Sequence, residues 1–284
     1  SFTDTQSLTL TAGTAYKLSE NVAPATSVST GSDFSTNPAV KVLDQWGNHI
    51  TTENAATVTV RLLVPTSTGT VVRDASSAVR AANGVVTFTG LNYIELPKTG
   101  YTLKYELVEG TTDNRFFTSS AFEIVPGAPH HLAWVTAPTG ARSNIALTTQ
   151  PVIEVQDEFN NAVRDNGTKI KASIVDAPAG LTISATDVFS DATTGAATFT
   201  DVKLTGPTGN YTLKFTAVNA GTDVNGVELL TASTVQLKHG IAAKMTLRNA
   251  AGASAGAQFI TAAVVRILDA QDNLVDENFT SGGV

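Results

Sequence analysis

Apolar and polar residues alternate through Val40-Lys-Val-Leu-Asp-Gln-Trp-Gly-Asn-His-Ile50 until a short polar turn interrupts them, and an apolar residue then restarts the alternation. A period of two predicts a half-buried strand, and the interruption predicts a tight loop into the next one. The pattern returns in Ile153-Glu-Val-Gln-Asp-Glu-Phe-Asn-Asn-Ala-Val163 and in Val265-Arg-Ile-Leu-Asp-Ala-Gln-Asp-Asn-Leu-Val275. Asp44 and Asp157 stand 113 residues apart and Asp157 and Asp269 stand 112 apart, which is the spacing of a whole domain. Tandem copies of one module are therefore expected.

The turn itself has readable chemistry. Asp44, Asp157 and Asp269 open it, where a short carboxylate can accept bonds from backbone N–H groups two or three residues on. The fourth position is Gly47, Asn160 or Asp272, the residue types that best tolerate a left-handed backbone. Asn48, Asn161 and Asn273 close the turn, while its middle is Trp46, Phe159 or Gln271. Backbone geometry repeats there, and a particular aromatic ring does not.

Further phrases recur at the same spacing. Val58, Val60 and Leu62 alternate with Thr57, Thr59 and Arg61, as one buried face requires. Prolines at 38 and 151 precede strands, where a missing N–H is tolerated. Asn83-Gly-Val-Val-Thr-Phe-Thr-Gly-Leu91 matches Thr194-Gly-Ala-Ala-Thr-Phe-Thr-Asp-Val202, with Gly84 and Gly195 as turn residues and Phe88 and Phe199 as core anchors. Thr99-Gly-Tyr-Thr-Leu-Lys-Tyr105 matches Thr208-Gly-Asn-Tyr-Thr-Leu-Lys-Phe215, and its Tyr resembles the tyrosine corner of immunoglobulin-like sandwiches. The stretch from Val64 to Asn83 reads as a loop.

These matches set the expected boundaries. Residues 1–13 align with the last strand of a module, residues 14–126 and 127–239 form two whole modules, and residues 240–284 begin a third that stops after two or three strands. An isolated pair of strands is marginal in water. Because residues 2–13 align with a closing strand that the C-terminal fragment lacks, head-to-tail strand exchange between chains is one expectation.

Composition narrows the function. Charged residues make up 15% of the 284, the formal charge is −7 and cysteine is absent, so disulfides and Cys-ligated metals are excluded. Clustered Lys and Arg for nucleic acid are missing, and so is any apolar run of about 18 residues for membrane insertion. A low-charge, Thr-rich, Cys-free β chain leans toward the outside of the cell.

The order of motifs now carries a resemblance. Gly-x-x-x-x-Leu, Pro, strand, Asp-x-x-Gly/Asn-Asn, Gly-x-x-x-Phe, Gly-x-Tyr-x-Leu and Phe-x-Ile/Val-x-x-Gly together resemble the bacterial immunoglobulin-like repeats of large surface proteins, similar to invasin/intimin-type and S-layer- or adhesin-associated modules. The resemblance covers essentially the whole chain. It implies an all-β fold of tandem immunoglobulin-like antiparallel β-sandwiches in a linear array. It leaves function open, because such modules serve as spacers, stalks, lattices and enzyme accessories alike.

Asp44 with Asn48 and Glu53, Asp157 with Asn161 and Asp165, and Asp269 with Asn273 and Asp276 offer hard oxygens for Ca²⁺. The alternative is a turn capped by its own side chains, since one carboxylate and one amide are few ligands for that ion. His130 and His131 are adjacent and should point to opposite faces of a strand. Trp46, Phe159 and Tyr93 are possible platforms for a sugar ring, against core packing or turn cover. Asn166, Asn210 and Asn278 lie in N-glycosylation triplets. No nucleophile elbow, phosphate loop or metal-binding helix is written, so no catalysis and no cofactor are expected.

The expected function is a structural segment of a long extracellular bacterial or archaeal surface protein: an S-layer, a fibre or an adhesin stalk. The expected partners are other copies of the chain or neighbouring repeats, with surface glycans as a further candidate. The alternatives are a glycan-binding or adhesive module, or an accessory domain of a secreted hydrolase.

Overall fold

The computed structural model describes residues 9–66, 69–75, 78–108, 115–164, 167–219, 222–230, 234–248, 255–256 and 264–276, with side chains outside the description at 69–75, 218–219 and 222–230. Every regular element among the described residues is a strand. The chain divides into two compact units, Ser1–Gly127 and Ala128–Val284.

The first unit is an immunoglobulin-like sandwich. Its strands are β1 (Lys17–Val22), β2 (Ser27–Ser29), β3 (Ala39–Leu43), β4 (Thr57–Thr66), β5 (Gly69–Ala75), β6 (Val79–Arg80), β7 (Val85–Thr87), β8 (Lys98–Leu107), β9 (Phe116–Thr118) and β10 (Phe122–Val125). One sheet runs β1-β3-β7 and the other β2-β10-β8-β4-β5, with β6 on β4 and β9 on β8. The chain changes sheets between β1 and β2, where buried Pro24 cannot donate to a ladder. β2 then runs parallel to the closing strand β10, with Glu123 opposite Ser27. This strand order, three strands against a sheet of seven, is that of an immunoglobulin-like sandwich.

The alternation read from the sequence faces the core. Val40, Val42, Val58, Val60, Leu62, Val86 and Leu103 are fully buried, and Phe88 packs 5.4 Å from Tyr105. Burying a Val, Leu or Phe side chain contributes about 1.5–3 kcal/mol, so this face is what holds the two sheets together. Tyr101 Oη donates to Leu96 O at 2.6 Å, the upstream bond expected of a tyrosine corner. The stretch read as a loop is instead a hairpin: β4 continues to Thr66 and pairs antiparallel with β5, Leu63 opposite Val72. Pro65 and the Ser/Thr tract disguise the strand period there, but a proline is tolerated beyond the centre of a sheet.

The second unit repeats the three-stranded sheet of the first and divides the remaining strands of its sandwich among three sheets. Its strands are β11 (His131–Thr136), β12 (Ile145–Ala146), β13 (Val152–Gln156), β14 (Lys169–Ile174), β15 (Thr182–Ser184), β16 (Val188–Phe189), β17 (Ala196–Thr198), β18 (Lys203–Thr205), β19 (Gly209–Tyr211), β20 (Leu213–Asn219), β21 (Thr222–Leu230) and β22 (Val235–Leu237). The sheet β11-β13-β17 faces β16-β14-β20-β21 across a core of Ile153, Val155, Ile170, Phe199, Leu213 and Phe215. The other two sheets are β12-β18-β15 and β19-β22. Trp134 and Phe199 both meet Phe215 edge-on at 5.3 Å. Tyr211 Oη donates to Pro207 O at 3.0 Å, a second corner.

After Gly240 the same unit adds an antiparallel hairpin, β23 (Ala242–Arg248) with β24 (Val264–Asp269), in the register Met245 opposite Ile267. Residues 1–8, aligned above with a closing strand, lie outside the described residues, and residues 9–13 form no strand.

Candidate functional site

The three Asp turns fold alike. Asp44 Oδ1 accepts from Trp46 N at 3.0 Å and Asn48 N at 2.8 Å, and its Oδ2 accepts from Asn48 Nδ2 at 3.0 Å. Asp157 receives the same three from Phe159 N, Asn161 N and Asn161 Nδ2 at 2.9, 2.9 and 3.1 Å. Asp269 receives them from Gln271 N, Asn273 N and Asn273 Nδ2, each at 2.9 Å. The N–H donors therefore lie two and four residues on, one step further than the two or three expected. Gly47, Asn160 and Asp272 have φ of 97°, 65° and 65°, the left-handed geometry anticipated for the fourth position.

A fourth bond was not foreseen. Asp44 Oδ2 also accepts the backbone N–H of Gly13 at 3.0 Å, and Asp269 Oδ2 accepts that of Gly240 at 2.7 Å. The first and third turns thus each hold the glycine that leads into their own sandwich or hairpin. The signal lay in the sequence: glycines 13, 127 and 240 precede their aspartates by 31, 30 and 29 residues. A contact so distant along the chain has no local pattern to announce it.

Four N–H donors use the four lone-pair sites of the Asp44 carboxylate. Burial pushes its pKa up, but the bonds from Gly13, Asn48 and Trp46 outweigh it and hold the group at about 2. Asp269 is likewise lowered, with burial opposed by Gly240, Asn273 and Gln271. Both remain carboxylates at any ordinary pH.

The third turn also touches the second sandwich. Asn273 Nδ2 donates to Gly206 O and Thr208 N donates to Asn273 Oδ1, both at 2.9 Å, while Ser143 Oγ lies 3.2 Å from Gln271 Oε1. A Cβ on Gly240 would meet Ser143 O at 2.5 Å, so only glycine fits between turn and sandwich. His239, beside that glycine, is buried with Nδ1 at 2.9 Å from Gly240 O and Nε2 at 2.9 Å from Asp276 Oδ1.

The remaining candidates fall in separate places. Glu53 caps the backbone N–H groups of Ala55 and Ala56, and Asp165 lies outside the described residues. His130 and His131 do not point apart: their Nδ1 atoms approach to 3.4 Å, because His130 precedes the strand and escapes its alternation. Trp46 is 71% exposed, Phe159 is half-buried, and Tyr93 packs edge-on against Phe34 at 6.3 Å. Burial pushes the Tyr93 hydroxyl up to about 12. Asn210 is exposed on β19, whereas Asn166 and Asn278 lie outside the described residues. Among the described residues, no three His, Asp or Glu side chains gather to hold a metal ion, and no helix is long and apolar enough to cross a membrane.

Strand order and paired corners define the class: immunoglobulin-like β-sandwiches carrying a recurrent Asp turn. No protein-family model matches the sequence, and no curated protein does. Among solved structures the chain is similar to invasin, a bacterial integrin-binding protein, at 13% identity and a TM-score of 0.38, over 92% of this chain and 48% of that one. It therefore spans about half the length of that structure. It is similar also to FdeC, an Escherichia coli adhesin, at 13% identity and a TM-score of 0.38, over 93% and 77%. A third likeness, to fibronectin(III)-like modules of Clostridium thermocellum CbhA, has 14% identity and a TM-score of 0.21, over 78% and 94%. The fold assignment rests on the strand order described above.

Proposed function

We propose that the chain is a structural segment of a long extracellular bacterial or archaeal surface protein, of the S-layer, fibre or adhesin-stalk kind, built from repeated immunoglobulin-like sandwiches. The observation that carries this reading is the recurrence of one chemically inert device, an Asp turn holding a leading glycine at both Gly13 and Gly240. Its work is mechanical and not catalytic. Backbone ladders and two apolar cores resist extension, while the turns remove freedom from the glycine leaders. Its partners are other repeats of the same kind.

Stretching the full chain by single-molecule force spectroscopy tests this. Each sandwich of about 113 residues should release roughly 37–41 nm of chain in a single step. Gradual extension without discrete steps would remove the spacer reading.

Exposed Trp46 favours a second reading, a glycan-binding or adhesive module. Binding on a glycan array that disappears in Trp46→Ala would replace the first reading with this one.

A further inference from the structure

Three turns with the same internal bonds differ in what lies outside them. At the third turn, Asn273 is 7% exposed because its amide bridges Gly206 O and Thr208 N of the second sandwich, and Gln271 faces Ser143. At the first turn, Asn48 is exposed and Trp46 is 71% exposed, though both make the same bonds to their aspartate. The leader enters both turns alike, with Gly13 N on Asp44 Oδ2 and Gly240 N on Asp269 Oδ2. The Trp46 ring lies over that leader, its Cζ3 atom 3.2 Å from where a Cβ on Gly13 would stand.

We infer that the Trp46 turn is a docking face for the end of another sandwich of this kind, seated as the Gln271 turn is seated on Ser143, Gly206 and Thr208. The partner is specified by chemistry: a Ser or Thr hydroxyl opposite residue 46, and a turn carbonyl and a backbone N–H that take the two ends of the Asn48 amide. Trp in place of Gln adds a large flat apolar surface at the centre, where interface energy concentrates. An indole left 71% exposed on its outer face, beside an exposed amide, is an anchor without its pocket. The inference rests on the proposed spacer role, since it supplies the contact that would stiffen one junction.

The test places a second copy of residues 128–239 directly ahead of Gly13, in place of residues 1–12, and follows Trp46 as the emission lost in Trp46→Phe. Acrylamide quenching of Trp46 should fall at least threefold and its emission should move to the blue. Unchanged quenching, with the added sandwich folded by its own thermal transition, overturns the inference.

Should the added copy fail to fold, Gln271→Trp in the otherwise native chain, carrying Trp46→Phe, decides instead. The introduced indole should be at least threefold less accessible than Trp46, and equal accessibility overturns the inference. Saturable quenching of Trp46 by oligosaccharides assigns the face to sugars and also overturns it. A shielded Trp46 in a chain that extends without steps removes the spacer role and leaves the docking face standing.

Discussion

The β1–β3 pair of the first sandwich and the β23–β24 hairpin have the same register and opposite surroundings. Leu18 stands across from Val42 and Met245 across from Ile267. Leu18 is 6% exposed and Val42 fully buried, whereas Met245 is 74% and Val265 59% exposed. Pairing, the left-handed fourth residue and the four bonds to the aspartate survive where, among the described residues, no second sheet covers the pair. The turn and its hairpin are thus local properties of the sequence, and burial is a property of the assembled sandwich. A two-stranded unit in water gains little from its apolar face, so the hairpin depends on its bonds to Ser143, Gly206 and Thr208 for its place.

The largest expected contrast comes from truncating equivalent positions. Leu18→Ala should cost the first sandwich about 2–5 kcal/mol in denaturant unfolding, whereas Met245→Ala should change stability by less than about 0.5 kcal/mol. Equal losses would mean that Met245 is covered in solution and would erase the distinction.

A smaller contrast is expected between two turn glycines of the covered regions. Gly84 and Gly195 both have φ of 75°, but a Cβ would meet Ile50 O at 2.2 Å in the first case and Val163 O at 2.9 Å in the second. Gly84→Ala should destabilise its sandwich by more than about 1 kcal/mol, and Gly195→Ala by less than Gly84→Ala, measured by the separate melting of each unit.

The smallest effect is acid loosening of the turns, which should be common to covered and uncovered regions. The folded pKa of Asp44 lies at about 2, below its ordinary 3.8, so its contribution is present above about pH 4 and is lost as pH falls toward 2. Asp269 is shifted in the same direction and should follow. The protection of the Gly13 and Gly240 backbone amides against exchange, relative to an unfolded peptide at the same pH, should fall together over that window. Added Ca²⁺ should leave both rates unchanged, because the Asp44 oxygens already face N–H donors.

Much of the fold was legible because sheet faces are written with period two. Val58, Val60 and Leu62, and the anchors Phe88 and Phe199, sit in the cores where the alternation placed them. The β4–β5 hairpin was hidden by Pro65 and a Ser/Thr tract that carry no alternation. At the site, Asp chemistry makes the N–H donor two residues on legible, whereas the donor four residues on and the Asn side-chain bond need the folded turn. The Gly13 and Gly240 bonds, and the seating of Asn273 on Gly206, join residues dozens of positions apart and required the folded chain. The meeting of His130 and His131 was misread because the strand begins one residue later than the alternation assumed.

The grip of Asp44 on Gly13 reaches backwards along the chain by 31 residues, and that of Asp269 on Gly240 by 29. A leader therefore gains this bond only from a turn that is synthesised after it. During synthesis, such a tether stays slack until the downstream turn has emerged and closed.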